Sequence, residues 1–308
     1  MTEHGLDLWP GLWGDFPPHD VPFLADGEAQ AIESPPAATR RLALVLAYDG
    51  GPYAGWQVQP GAVTVQGELE RALSQLCGRP VRVHASGRTD AGVHAWGQVV
   101  SFNAFGRLEP EAMLAGLRAL LPPEIHPRAL GRVAPDFHAR YAARAKTYDY
   151  FLWPQAGPAL FQRQRLWPLW RALDERAVRQ ALEPLPGPRD LKPFASQGAE
   201  AKGSTVRQIF EARLDTGPRG LWRIRLTASG FLRHVVRNLA GALVMVGLGK
   251  AHPFSILDAC EAGRRSRPGP KAPAGGLYLN RVFYQCYNEL PLTESPEAPA
   301  WNAKEDGI

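Results

Sequence analysis

The run Leu42-Ala43-Leu44-Val45-Leu46-Ala47-Tyr48, closed by Asp49-Gly50-Gly51-Pro52, sets the reading of the fold: a strand ending in a tight turn. Outward from it, a helix is predicted near 65–77, with Val65, Leu69, Ala72, Leu73 and Leu76 on one face and Thr64 as its cap. A strand follows at 81–86, where Val81, Val83 and Ala85 alternate with Arg82 and His84. Another runs near Gln98 to Phe102. A helix at 110–121 presents Met113, Leu114, Leu117 and Leu121, and a strand closes this half near 129–134.

The second half repeats the order. A strand at 146–152 leads to a helix begun by Asp174, with Ala177, Val178, Ala181 and Leu182 inward. Strands follow near 206–214 and 221–228, the latter alternating Trp222, Ile224 and Leu226 with Arg223 and Arg225. A helix at 233–247, a shorter one at 253–262 and a strand at 277–284 complete it. Each half reads β-α-β-β-α-β, the split arrangement of ferredoxin-like units. The predicted class is α+β: two such halves joined into a mainly antiparallel sheet, helices on one face, the other face left free for a partner, as in sheets that recognise RNA. The predicted domains are an acidic, disordered or loosely docked extension at 1–40, a first half at 41–136, a second half at 137–288 and an acidic tail at 289–308.

Charge separates these parts. Residues 1–39 hold seven acidic residues and no Lys or Arg, and 289–308 hold five acids against Lys304. The stretch 40–288 therefore keeps 34 basic residues against 18 acidic ones, a net of +16. A body that basic predicts a polyanionic partner. Its basic residues form no amphipathic polybasic helix, so a membrane surface fits less well. The longest apolar run, Leu239 to Leu248, falls well short of the roughly 20 residues that cross a bilayer. Met1-Thr2-Glu3-His4 does not begin a secretory signal. Cys77, Cys260 and Cys286 are widely spaced and odd in number, which argues against a disulfide framework or a thiolate metal site. A reducing cytoplasm is the expected compartment.

The chemistry is expected in the loop Ser86-Gly87-Arg88-Thr89-Asp90-Ala91-Gly92-Val93-His94-Ala95-Trp96-Gly97, between the second and third strands. Its three glycines let the backbone turn tightly and approach a ligand closely. No Gly-Lys-Ser/Thr follows, so it is not a phosphate-binding P-loop. An aspartate in such a loop is usually an Asx-turn residue, and the residue alone leaves that reading standing.

The whole string Gly87-Arg88-Thr89-Asp90-Ala91-Gly92-Val93-His94 closely resembles the catalytic motif of the TruA family of tRNA pseudouridine synthases. The resemblance extends along most of 41–284. Tyr48-Asp49-Gly50 with Gly55-Trp56-Gln57 is similar to that family's first strand and turn. Thr64-Val65-Gln66 with Leu69-Glu70-Ala72-Leu73 is similar to its first helix. Phe137-His138-Ala139-Arg140, Tyr148-Asp149-Tyr150, Phe231-Leu232-Arg233-His234-Val235-Val236-Arg237-Asn238 and Gly276-Leu277-Tyr278-Leu279 follow in family order. The two termini have no counterpart. Asp190-Leu191-Lys192-Pro193-Phe194-Ala195 is a loose version of a family segment, and Val235 stands where Met is usual.

The resemblance implies an isomerase that breaks the N1–C1′ bond of uridine, turns the uracil and rejoins it through C5, with no cofactor and no metal. Asp90 is then the catalytic carboxylate, acting covalently or by way of a glycal. Arg237 becomes the guanidinium that keeps it ionised, Tyr148 the aromatic that stacks on the flipped uracil, and Leu277 an apolar wall beneath the base. Arg88 would fill the vacated stack or hold a phosphate; Arg144, Lys146, Arg233 and His234 are further RNA contacts. The implied substrate is the tRNA anticodon stem-loop, at nucleotides 38 to 40 in the family, and the implied assembly a homodimer. Asp49, Asp136 and Asp149 read as turn or surface residues. The rivals are a catalytically silent RNA-binding protein, which would not need a carboxylate facing phosphates, and a nucleoside hydrolase, which would need a dense Asp cluster absent here.

Overall fold

A computed structural model of the chain describes residues 19–23, 39–154, 162–196, 203–217, 220–263 and 269–285. In chain order its elements are β1 (Arg40–Tyr48), α1 (Val65–Cys77), β2 (Val83–Ala85), β3 (His94–Ala104), α2 (Pro110–Leu120), β4 (Ile125–Arg132), β5 (Ala145–Trp153), β6 (Trp167–Pro168), α3 (Glu175–Leu182), β7 (Gly187–Asp190), β8 (Val206–Thr216), β9 (Trp222–Ala228), α4 (Val235–Gly247), α5 (Ser255–Ala262) and β10 (Leu277–Phe283). The fold is α+β and the strand pairing mainly antiparallel, as the sequence predicts. The described residues fall into two compact units, one holding 19–148 with 277–285 and the other 149–276.

In the first unit β1 is flanked by two antiparallel neighbours, β3 (Leu42 opposite Phe102) and β4 (Leu44 opposite Leu130). Paired on both edges and buried from Leu42 to Tyr48, this strand has no solvent face, which is why Leu42 to Ala47 is apolar at every position. The helix α1 buries Val65, Leu69, Ala72 and Leu73, and Thr64 caps it by accepting the Gly67 N–H at 3.2 Å. Opposite it, α2 buries Met113 and Leu117. Gly116 lets the two helices close up, since a Cβ there would meet Leu76 at 2.7 Å.

Three expectations for this unit change. The strand expected to close the second half, β10, belongs here and runs parallel beside β3, with Tyr278 opposite His94. A parallel pairing between segments so distant in sequence leaves no local pattern to read. His94 to Gly97, expected in the loop, are the start of β3. Residues 19–23 are no loose tail: Asp20 accepts the Tyr284 N–H at 3.0 Å, Val21 is buried, and Phe23 packs where a Cβ on Gly131 would sit, 2.6 Å away. The rest of the acidic stretch at 1–38, and the tail at 289–308, lie outside the described residues.

In the second unit β9 pairs with β8 and β8 with β7, both antiparallel, while β6 adds a short parallel pairing to β5 at Leu152 opposite Trp167. Asp174 caps α3 by accepting the Ala177 N–H at 3.0 Å. The helix α4 is nearly all buried, and its Gly247 sits against Leu173 and Val178, about 3 Å from where a Cβ would be. The alternation of β9 does not divide inside from outside, for Arg223 and Arg225 are buried with Trp222, Ile224 and Leu226. Arg225 makes a two-pronged pair with Asp149, both bonds 2.7 Å. Asp149 is therefore a fully buried ion-pair partner and not the turn or surface residue the sequence suggests. Opposite charges satisfy each other here, so both leave water without being left bare.

Candidate active site

Residues Ser86 to Val93 join β2 to β3, and several main-chain groups of this loop are held. The Gln98 amide donates to the Gly87 carbonyl at 2.8 Å, while its oxygen accepts the Ser86 hydroxyl at 2.7 Å. Lys146, on β5, donates from Nζ to the Ser86 carbonyl at 2.6 Å. The Thr89 hydroxyl meets the Tyr48 hydroxyl at 2.8 Å, and the Thr89 carbonyl accepts the Trp56 N–H at 3.1 Å. Val93 N–H returns to the Asp90 carbonyl at 3.1 Å and closes the turn. His94, just past it, accepts the Gly50 N–H at Nδ1 and stacks on Tyr278 at 4.6 Å.

Gly55 makes this grip possible. Its φ of +95° lies in the region that favours glycine, and a Cβ would stand 2.9 Å from the Thr89 carbonyl oxygen and 3.1 Å from the Asp90 carbonyl carbon. The turn after β1 thus lies directly against the backbone that carries Asp90.

Within the first unit, Asp90 is half-buried and Arg88, two residues earlier, is exposed. Tyr148 is buried, and its hydroxyl is held well above the ordinary tyrosine range, first by burial, then by Tyr48 and by the charge of Asp90. Tyr48 is pushed up to about 12, again by burial, although hydrogen bonds from Thr89 and Gln98 pull the other way. Both phenols therefore keep their protons at neutral pH. Leu277, at the head of β10, is buried. Arg144 is exposed, and its N–H donates to the Phe283 carbonyl at 2.7 Å. The Lys146 ammonium, expected on RNA, is committed to the loop's own backbone. Burial, with repulsion from Arg140, pushes it down to about 8.

The other predicted residues belong to the second unit, around the start of α4. Arg237 donates from Nε to the Ala272 carbonyl at 2.8 Å, and its charge opposes the upward shift that burial gives the Tyr150 hydroxyl. His234 has a left-handed φ of 68° and shares a short hydrogen bond with the Ser196 hydroxyl; Arg233 beside it is exposed.

Tyr48, Gln98, Ser86 and Lys146 form the support under the loop, and sequence reasoning gave none of them that part. Gln98 offered a signal, as a polar residue beside the apolar run Val99-Val100. Among the described residues no group of three or more His, Cys, Asp or Glu side chains is placed to hold a metal ion.

Comparison with known proteins gives the family. A family model described as tRNA pseudouridine synthase matches residues 44–142 and 181–285. A protein named tRNA pseudouridine synthase A from Moorella thermoacetica is 41% identical over 245 residues, covering 79% of this chain and 99% of its own length. Proteins of that name from Solidesulfovibrio magneticus and Solibacter usitatus are 43% and 41% identical, covering 84% and 80% of this chain and 97% and 100% of theirs. The chain belongs to the tRNA pseudouridine synthase family, a family of RNA-modifying isomerases.

Proposed function

We propose that the chain isomerises uridine to pseudouridine in the anticodon stem-loop of tRNA, with Asp90 as the catalytic carboxylate. The observation that carries this reading is the held loop. A carboxylate on a glycine-rich turn would ordinarily wander, yet its flanking main chain is fixed by Gln98, Lys146, Tyr48 and Gly55. Catalysis by an oriented group depends on holding it near the attack geometry, where small displacements lower rates sharply.

The target uridine must leave its stack, which costs a few kcal/mol, and stacking on Tyr148 returns about 1–3 kcal/mol. Asp90 then acts at the ribose while the N1–C1′ bond breaks; the base turns and C5 takes the place of N1. The C5 proton is lost to water as the ring regains its double bond. Burial keeps the Tyr148 phenol protonated in the free protein, so it meets the uracil as a stacking surface and hydrogen-bond donor, with its hydroxyl available to help move the C5 proton. Arg88, Arg237 and Leu277 bind substrate by family resemblance, and Arg144, Arg233 and His234 are outer RNA contacts. We assign Lys146 to positioning the loop. A second copy of the chain is the expected partner, and sedimentation of the free protein checks it.

The test is tRNA carrying tritium at uracil C5. Turnover releases label to water from the wild type, and Asp90→Asn, nearly isosteric, is expected to lose release by at least about 10³-fold while still binding tRNA. Appreciable release by the variant removes Asp90 from the role; no release by the wild type from any tRNA removes the reading altogether.

A further inference from the structure

On the surface of the first unit three rings lie in series. The His84 ring on β2 lies 5.0 Å from that of His138, and the His138 ring lies 4.3 Å from that of Tyr141. The guanidinium of Arg140 stands 5.8 Å from the centre of the Tyr141 ring. Tyr141 is 76% exposed, more than any other large hydrophobic side chain among the described residues. An exposed tyrosine on a loose turn would signify little. This turn is built, not loose.

Its backbone is fixed from three sides. Arg41 donates from Nε to the Phe137 carbonyl at 2.8 Å and from a terminal nitrogen to the Ser101 hydroxyl at 2.9 Å. That hydroxyl in turn accepts the Ala139 N–H at 3.0 Å, and the Tyr284 hydroxyl donates to the Ala139 carbonyl at 2.9 Å. Ala142 N–H closes the turn on the His138 carbonyl at 2.9 Å, and Arg140 N–H donates to His138 Nδ1 at 3.1 Å. Ser101 is also the ladder partner of His84 across β2 and β3, so one residue sets the spacing of the first two rings. The turn is therefore held where it presents the outer ring, which lowers the ordering cost of binding a flat ligand.

The position of the ladder relates it to the loop. His84 stands two residues before Ser86, and the charge of Arg140 reaches the Lys146 ammonium, which holds the Ser86 carbonyl. A flat aromatic surface beside a guanidinium matches one ligand chemistry, an unstacked base with its phosphate.

We propose that the ladder His84–His138–Tyr141, with Arg140, is a stacking subsite for a second, unpaired nucleotide of the RNA substrate, separate from the uridine that reacts. This rests on the tRNA reading above. The base lies on Tyr141, whose pose the two imidazoles back, and its phosphate meets Arg140. The subsite rewards RNA whose unpaired nucleotides extend beyond the target.

The experiment measures dissociation constants and steady-state kinetics of the full chain with a transcribed tRNA, comparing Tyr141→Ala, Tyr141→Trp and Arg140→Gln. Tyr141→Ala is expected to weaken binding by about 5- to 150-fold, seen in Kd and KM more than in kcat. Tyr141→Trp is expected to restore it, and Arg140→Gln to lower the slope of log Kd against log salt by about one. Because Tyr141 is exposed, unchanged thermal melting is expected and verifies that the variants fold. Wild-type Kd in Tyr141→Ala overturns the subsite while leaving the isomerase reading intact. A change of oligomeric state without a change of RNA affinity makes this face a contact between copies and overturns it as well. A wild type that neither binds nor turns over tRNA overturns both.

Discussion

A lysine ammonium turned onto a main-chain carbonyl holds best while it keeps its proton, and Lys146 loses its proton early. In the folded protein it is pushed down to about 8, whereas the unfolded chain keeps the ordinary value of 10.5. Between those two values the unfolded state binds more protons, so stability rises with pH across that window even as the hold on Ser86 weakens. Turnover is expected to fall as pH passes about 8 while melting temperature does not. Lys146→Arg, charged throughout, should flatten that alkaline limb, and Lys146→Met should lower kcat at every pH with tRNA affinity retained. An alkaline limb unmoved in Lys146→Arg would sink the positioning role. The sequence marks Lys146 as basic and close to Tyr148, which is legible. It cannot show that the side chain points inward to a backbone oxygen, since the partner lies 60 residues away.

At the scale of elements, two close approaches carry consequences. Gly55→Ala puts a methyl group into the backbone of Thr89 and Asp90 and strains a φ of +95°. It is expected to displace the loop, lowering kcat by about 10²-fold, with a smaller change in tRNA affinity. A variant with wild-type kcat would mean that the approach does not constrain Asp90. The Asp149–Arg225 pair makes a different prediction. Arg225→Met removes the two-pronged hydrogen bonds of a fully buried carboxylate and should cost about 3–5 kcal/mol, whereas Asp149→Leu with Arg225→Met should recover much of it. Denaturant unfolding of the four proteins in this cycle checks the claim, and additive losses would refute it. Helix positions were legible here, because α1 and α3 carry capping residues and a 3.6-residue apolar period. The burial of the β9 arginines was not legible, because a period of two gives only the side a residue points to and not whether that side is covered.

For the whole molecule the governing quantity is charge. The net of +16 over residues 40–288 is expected to make tRNA binding steeply dependent on salt, weakening at least tenfold between about 50 and 200 mM monovalent salt. Affinity that shifts less than about twofold would remove long-range attraction from the account. Charge content, element types and the motif around Asp90 are all local properties of the chain, so the sequence by itself determined the α+β class, most element positions, the family and the candidate carboxylate. Only the tertiary structure decided that β10 runs parallel beside β3, that Lys146 and Gln98 hold the loop from below, that Asp149 is buried on Arg225, and that His84, His138 and Tyr141 form a ladder. Each of these joins residues far apart along the chain, and what brings them together is the packing of elements whose own local patterns say nothing about their neighbours.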